Sequence, residues 1–198
     1  CIGSFTSVAG TWLSQAIKAY QELHPESAFD IRVGTDVLRG WLLSGEIDLA
    51  IGDEMRCGSF HWEPLLHDRY YAVVPEQLIG RDVQSITQED FVKYPFIMAP
   101  RNSLESHLKA LPRRSVNISC DDDATLLSMV AQGLGVTAMP RLSLHNVPEH
   151  VRVLELTPVA ERIIGMALPG TPNRAVSEFA AFLRTFRTPG QEADGSDA

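Results

Sequence analysis

Residues 129–140, Met-Val-Ala-Gln-Gly-Leu-Gly-Val-Thr-Ala-Met-Pro, constrain the fold more than any other stretch. They read as a helix ending at Gly133, a tight turn, and a short buried strand stopped by Pro140. A phosphate-cradling glycine loop needs the opposite order, strand first and helix second, so that free helical N–H groups point at the anion. Gly133 and Gly135 are therefore expected to act as a helix cap and turn device, not as a dinucleotide fingerprint. A chain punctuated this way alternates helices with strands, and that alternation predicts an α/β architecture with strands covered by helices.

The same alternation runs along the rest of the sequence. Residues 2–5 form a first strand. Thr6 or Ser7 then N-caps a helix to about His24, with Leu13, Ala16, Ile17, Tyr20 and Leu23 on its buried face and Pro25 behind it. Phe29, Ile31 and Val33 alternate as a second strand, Thr35 caps a second helix closed by Gly45, and residues 49–51 are short and apolar, as a central parallel strand should be. Residues 65–74 are β-rich, 86–91 read as a short helix, 95–98 as a strand, and 103–111 as a helix broken by Pro112. A strand at 116–120, a helix at 126–132 started by the Asp cluster, and strands at 136–139, 151–156 and 163–168 follow. Thr171 with Pro172 opens a closing helix bearing Val176, Phe179, Phe182, Leu183 and Phe186. From Thr188 onward the composition turns to Gly, Asp, Glu and Ser, the signature of a disordered tail.

At 198 residues and 44% hydrophobic content, the chain can bury roughly 70% of its unfolded surface, enough for one large or two small cores. Three scattered cysteines, Cys1, Cys57 and Cys120, make neither a disulfide framework nor a zinc spacing, so a reducing, cytoplasmic compartment is expected. No apolar run has membrane-spanning length and no signal pattern is present. The net charge of −8 argues against this stretch gripping a phosphate backbone, because nonspecific DNA affinity comes from basic residues displacing counterions. The chain opens without Met, inside an apolar strand pattern, and is expected to be a fragment.

Three phrases in order, Ile2-Gly-Ser-Phe-Thr-Ser7, Gly45-Glu-Ile-Asp48-Leu-Ala-Ile51 and V-x-x-G-x-G-V-x-x-x-P over residues 130–140, together resemble the effector-binding domain of LysR-type transcriptional regulators over residues 1 to about 187. The resemblance implies a type 2 periplasmic-binding-protein-like fold of two Rossmann-like subdomains. One would comprise residues 1–74 and 162–187 and the other 75–161, joined by two crossover strands acting as a hinge. It implies a small-molecule effector in the cleft beside that hinge, where closure can exclude water. An N-terminal winged helix-turn-helix and linker helix, absent from these residues, would carry DNA binding. The helix at residues 12–23 and the region 125–136 are the counterparts of an isologous dimer contact. A homodimer follows, extending to a tetramer at full length, with RNA polymerase as a further partner.

The candidate ligand residues cluster at strand-to-helix turns, where α/β sheets usually bind ligands. Ser4, Phe5, Thr6 and Ser7 offer hydroxyls and helical N–H groups at the first turn; helix capping alone is the competing role for Thr6 or Ser7. Asn102 and Ser103 occupy the corresponding turn of the second subdomain, as ligand contacts or as a cap, with Arg101 as a nearby cation that could equally be solvated. Gly52 and Asp53 end the third strand at the first edge, and an Asp there disfavours a dianion close by, which points to a ligand that is neutral, zwitterionic or cationic on that side. Thr137 completes the set.

Asp121, Asp122 and Asp123 read as a helix cap in preference to a metal site. The six histidines show no ligand spacing, and Cys57 and Cys120 read as inert thiols. No metal, cofactor or catalytic set is expected. The effector would be a small organic acid, an amino acid or an aromatic metabolite. The competing readings are a solute-binding protein of an ABC-type importer, in which Cys1 would be a lipidated residue, and an enzyme on the same scaffold, for which no nucleophile–base set emerges.

Overall fold

The computed structural model describes residues 1–80, 82–100 and 116–188. The helix expected at 103–111 and the tail from 189 lie outside the described residues. In chain order the elements are β1 (Ile2–Ser4), α1 (Thr6–Val8), a π-helical turn (Ala9–Leu13), α2 (Ser14–Leu23), β2 (Ile31–Val33), α3 (Leu38–Ser44), β3 (Leu49–Gly52) and α4 (Glu54–Cys57). Next come β4 (His61–Pro75), β5 (Ser85–Thr87), α5 (Gln88–Phe91), β6 (Phe96–Met98), β7 (Val116–Ser119), α6 (Asp123–Ala131) and β8 (Thr137–Pro140). A 3-10 turn (Arg141–Ser143), β9 (Val151–Thr157), β10 (Glu161–Leu168) and α7 (Arg174–Thr185) complete the chain. It divides into two compact units, Cys1–Leu66 with Ile163–Ala198, and His67–Arg162. The chain passes from one unit to the other inside β4, between Leu66 and His67, and returns inside β10, between Arg162 and Ile163.

In the first unit β1 lies between two parallel neighbours, Ser4 pairing with Val33 of β2 on one side and Ile51 of β3 on the other. β10 runs antiparallel to β3, with Gly165 opposite Gly52. The β1 and β3 strands are buried along their whole length, which is why they read as apolar runs without alternation. Leu13, Ala16 and Tyr20 face inward from the first helical stretch, and Tyr20 packs edge-on against Phe179 of α7 (5.0 Å). Leu23, expected on that face, is 68% exposed. The next residue, His24, stacks on the Tyr20 ring at 4.4 Å.

In the second unit β4 pairs antiparallel with β8 and β9, and β5 lies parallel to β9. β6 and β7 form a parallel pair. Two buried clusters, one around Phe91, Phe96 and Leu156, the other around Ile97, Leu126 and Met139, fill the unit. Residues 86–91 are not one helix: Ile86 pairs with Leu156 in β5 before α5 begins.

Two helix ends behave as the motif phrases require. Gly133 has φ +75°, its N–H donates to the Val130 carbonyl (2.8 Å), and that of Leu134 donates to Met129 (3.2 Å), the paired bonds of a Schellman cap. The same pairing closes α3, from Gly45 (φ 72°) to Leu42 and from Glu46 to Trp41. Gly135 has a different role: a Cβ there would sit 2.4 Å from the Pro95 carbonyl oxygen. That close approach lets Val136 N–H reach the same carbonyl at 2.9 Å.

Candidate functional site

The parallel registers bring the carboxyl ends of β1, β2 and β3 to one edge of the first unit. The N–H of Gly34 donates to the Ser4 carbonyl (2.9 Å), and a Cβ on Gly52 would meet the Phe5 ring at 3.1 Å. Ser4, Phe5, Thr6, Ser7, Gly52 and Asp53 are thus neighbours, although 48 residues separate Ser4 from Gly52. The indole N–H of Trp62 donates to the Gly52 carbonyl (3.1 Å) and fixes the end of β3.

The hydroxyls at this edge do not cap the helix. Phe5 is the N-cap residue and makes no side-chain cap bond, so the expected Thr6 or Ser7 cap is not formed. Ser7 is buried and Thr6 exposed. Ser4 is fully buried, yet its hydroxyl has no hydrogen-bond partner among the described residues. A buried hydroxyl left that way costs roughly 1–3 kcal/mol. Beyond the turn, the π-helical stretch widens the ladder, and the Thr11 hydroxyl bonds the Ser7 carbonyl (2.5 Å) while Ser14 bonds that of Ala9 (2.6 Å). Among the described residues the Trp12 indole N–H is also buried without a partner, and its ring packs edge-on to Phe186 at 5.7 Å.

Thr35, expected to cap the second helix, does not: the N-cap is Val37, without a side-chain bond. Asp53 is itself a cap, accepting from the backbone N–H of Arg56 (2.9 Å). The Arg56 guanidinium donates to the same carboxylate through Nη1, reaches Asp36 through Nε (3.4 Å), and lies 5.6 Å from the centroid of the Phe5 ring. Asp53 therefore carries its own cation beside Gly52. Arg56 is the residue that reading along the chain missed. Its signal was the i,i+3 spacing from Asp53 across a single helical turn.

In the second unit the Thr137 hydroxyl, 1% exposed, donates to the Ile97 carbonyl (2.8 Å) and ties β8 to β6. Its donor is already engaged in the core. Arg101, Asn102 and Ser103 lie outside the described residues. Asp122 N-caps α6, accepting from the Thr125 N–H (2.8 Å) and hydroxyl (2.6 Å). These two bonds, the hydroxyl's foremost, hold its carboxyl below the usual range. Among the described residues no three His, Cys, Asp or Glu side chains converge as a metal site.

A buried polar knot in the same unit also went unread. Asp68, 2% exposed, accepts from Arg162 Nε (2.9 Å) and Nη2 (2.8 Å) and from the Leu142 N–H (3.1 Å), joining β4, β10 and the 3-10 turn. Burial raises its carboxyl above the ordinary value against the pull of those donors. Cys57 is buried, and desolvation followed by the nearby Asp53 charge pushes its thiol up to about 12, which leaves it unreactive at neutral pH.

One cavity of about 220 Å³ opens on the first unit among Tyr20, Phe29, Asp48, Asn173 and Phe179. It includes none of the strand-end residues. Two of its polar side chains are engaged, Asp48 with the Cys1 ammonium (2.6 Å) and Asn173 capping α7. Asn173, not Thr171, is that helix's N-cap. The strand-end edge, with an unsatisfied hydroxyl and a nearly covered cation, is the stronger candidate for a ligand.

Comparisons with known proteins agree with this architecture. The chain is 27% identical over 195 residues to LrrA of Synechococcus elongatus, named a probable HTH-type transcriptional regulator, covering 94% of this chain and 65% of that protein. It is 27% identical over 173 residues to YoaU of Bacillus subtilis, named an uncharacterized HTH-type transcriptional regulator, covering 83% and 58%. The chain thus spans about three-fifths of the length of these curated relatives. The solved regulatory domain of CcmR from Synechocystis PCC6803, in complex with 2-PG, superposes with a TM-score of 0.75 at 16% identity over 92% of this chain and 94% of that one. That similarity concerns the fold, a mixed α/β domain of periplasmic-binding-protein type. The model of the LysR substrate binding domain matches residues 1–187, and the chain belongs to that family.

Proposed function

We propose that this chain is the effector-sensing domain of a LysR-type transcriptional regulator, and that its effector binds at the carboxyl ends of β1, β2 and β3. The observation that carries the reading is Ser4. A fully buried hydroxyl without a partner among the described residues lies at the end of a central parallel strand, where α/β sheets meet ligands. A ligand acceptor or donor there would satisfy it. Thr6, Ser7, Gly52 and Asp53 flank it, and Arg56 supplies a cation. The CcmR domain in complex with 2-PG supports a small-molecule role for domains of this fold.

The proposed effector is a small organic acid, an amino acid or an aromatic metabolite, held without covalent chemistry. It acts by binding one conformational state more tightly than another; equal affinity for both would switch nothing. DNA binding, a homodimer or tetramer, contact with RNA polymerase and a cytoplasmic location are proposed for the longer protein. No described helix is long and apolar enough to cross a membrane.

A thermal-shift screen of these metabolite classes tests the reading. A ligand at 100 times its Kd should stabilise the chain by about 2.7 kcal/mol, and Thr6→Ala with Ser4→Ala should reduce that gain. Failure of every class to stabilise the chain, or turnover of a metabolite into product, would refute the sensing role.

A further inference from the structure

The 220 Å³ cavity of the first unit lies at the amino ends of β1 and β3, where Ile2 pairs in register with Leu49. Tyr20 from α2, Phe29 from the loop that follows and Phe179 from α7 make an aromatic wall. Tyr20 meets Phe29 at 6.0 Å and Phe179 at 5.0 Å, and Phe29 meets Phe179 at 4.9 Å. Ile2 and Leu49 are buried apolar lining residues. An apolar cavity of about 150 Å³ holds one benzene molecule, so this one has room for a ring with a short polar arm.

The backbone around the cavity is already tied down. Ser27 donates its N–H to the His24 carbonyl (3.0 Å) and accepts at its own carbonyl from Gln21 Nε2 (2.9 Å), while the Asp48 N–H donates to the Cys1 carbonyl (2.8 Å). A site formed this way orders little on binding.

One lining side chain is charged, the half-exposed Asp48, and its carboxylate holds a primary ammonium, that of Cys1, at 2.6 Å from Oδ2. Burial, then the charges of Glu178 and Glu26, raise the Tyr20 hydroxyl above its usual value, so the field at this wall is negative. The start of α7 would favour an anion. Asn173, however, already accepts its Val176 N–H (2.9 Å), and Arg174 is bonded to Glu178 (2.8 Å).

We propose that this cavity is a second small-molecule site, taking a primary arylalkylamine whose ring enters the aromatic wall and whose ammonium pairs with Asp48. A carboxylate accepts at both oxygens, so Oδ1 can receive the amine while Oδ2 keeps Cys1. The aromatic faces add their own attraction for a cation. An organic acid meets a carboxylate instead, and a neutral analogue fills the ring space without the ion pair. In a chain extended before Cys1 that nitrogen is a peptide N–H, and Asp48 offers its full charge to the ligand. The site does not rest on the sensing role proposed for the strand-end edge.

The probe is phenethylamine, with phenethyl alcohol as its neutral isostere, titrated into the methyl-¹³C-labelled chain. Phenethylamine should give intermolecular NOEs to the methyls of Ile2, Leu49 and Val176, and bind about two- to fivefold tighter than the alcohol. Asp48→Asn should remove that preference. Val176→Phe, which fills the cavity, should abolish the NOEs to Ile2 and Leu49, and two residues added before Cys1 should tighten the amine alone. Missing NOEs to Ile2 and Leu49 in the wild type, or NOEs that survive Val176→Phe, overturn the site. Equal affinity for amine and alcohol, a preference that persists in Asp48→Asn, or an amine affinity unmoved by the extension overturns the amine assignment, and none of these three needs Val176→Phe to fold.

Discussion

Replacing Ser4 by Ala should make the ligand-free chain more stable, an unusual outcome for a fully buried strand position. The hydroxyl has lost its water and found no partner among the described residues, at a cost of about 1–3 kcal/mol. Truncation forfeits the contacts of one oxygen atom, on the order of a few tenths of a kcal/mol. The backbone is untouched, so the bond from the Gly34 N–H to the Ser4 carbonyl remains. The net gain is about 1 kcal/mol, which for a chain of this size raises the Tm by about 2–4 °C. Scanning calorimetry and urea titration of both chains, free of ligand, measure it. With a stabilising metabolite from the screen the alanine's advantage should shrink or vanish, because the alanine cannot make the bond that the hydroxyl was kept for. That lost bond is worth about 0.5–1.5 kcal/mol, roughly a two- to twelvefold loss of affinity. An alanine chain less stable than wild type by more than about 0.5 kcal/mol would refute the assignment of an unsatisfied hydroxyl. A ligand-induced shift equal in both chains would remove Ser4 from the site.

Gly133→Ala and Gly135→Ala should separate two uses of glycine within one motif. The first meets no neighbour within 4 Å but must hold φ +75°, costing about 1–2 kcal/mol, whereas the second drives a Cβ to 2.4 Å from the Pro95 carbonyl and should shift the urea midpoint further. Cys57, with its thiol raised to about 12, should resist a thiol reagent at pH 8 in the native chain and react fully in urea; equal rates for all three cysteines would contradict its burial. Asp68→Ala leaves the Arg162 guanidinium, 11% exposed, without its carboxylate, and should cost about 3–5 kcal/mol in chemical denaturation. Asp90 is held at about 2 by its bond to Lys93 and then by those to Thr87. Its lowered value makes its contribution present above the ordinary carboxylate range and lost as the pH falls through about 2, so Asp90→Asn should lower stability at pH 5 and leave it unchanged near pH 1.5.

What could be read along the chain was what is decided locally. The Gly45 and Gly133 caps close bonds within five residues, and their order around the strands that follow gave both the α/β alternation and the family resemblance. The caps at helix starts were read less well. Thr6, Thr35 and Thr171 each had the right chemistry, yet the N-cap positions belong to Phe5, Val37 and Asn173. Several neighbouring side chains can cap, and the backbone, set by packing, decides where the helix begins. Residues 86 and 87 were misread for a related reason. Their strand character comes from pairing with Leu156 and Thr157, partners some seventy residues away whose contribution leaves no local periodicity.

The site was half legible on the same grounds. That Ser4, Gly52 and Asp53 share an edge follows once β1 and β3 are recognised as parallel neighbours, because their carboxyl ends must then coincide. Arg56 was invisible because its value lies in what surrounds it. In sequence it is one of many basic residues, and only folding covers it, seats it on Asp53 and opposes it with Asp36. The two units differ in how their buried polar groups are treated. Asp68 and Thr137 in the second unit have partners for their buried polar atoms. At the strand-end edge of the first unit, the buried Ser4 hydroxyl is left without a partner among the described residues. Sequences agree across levels except where binding requires otherwise, so that disagreement at one sheet edge is itself a reason to look for the ligand there.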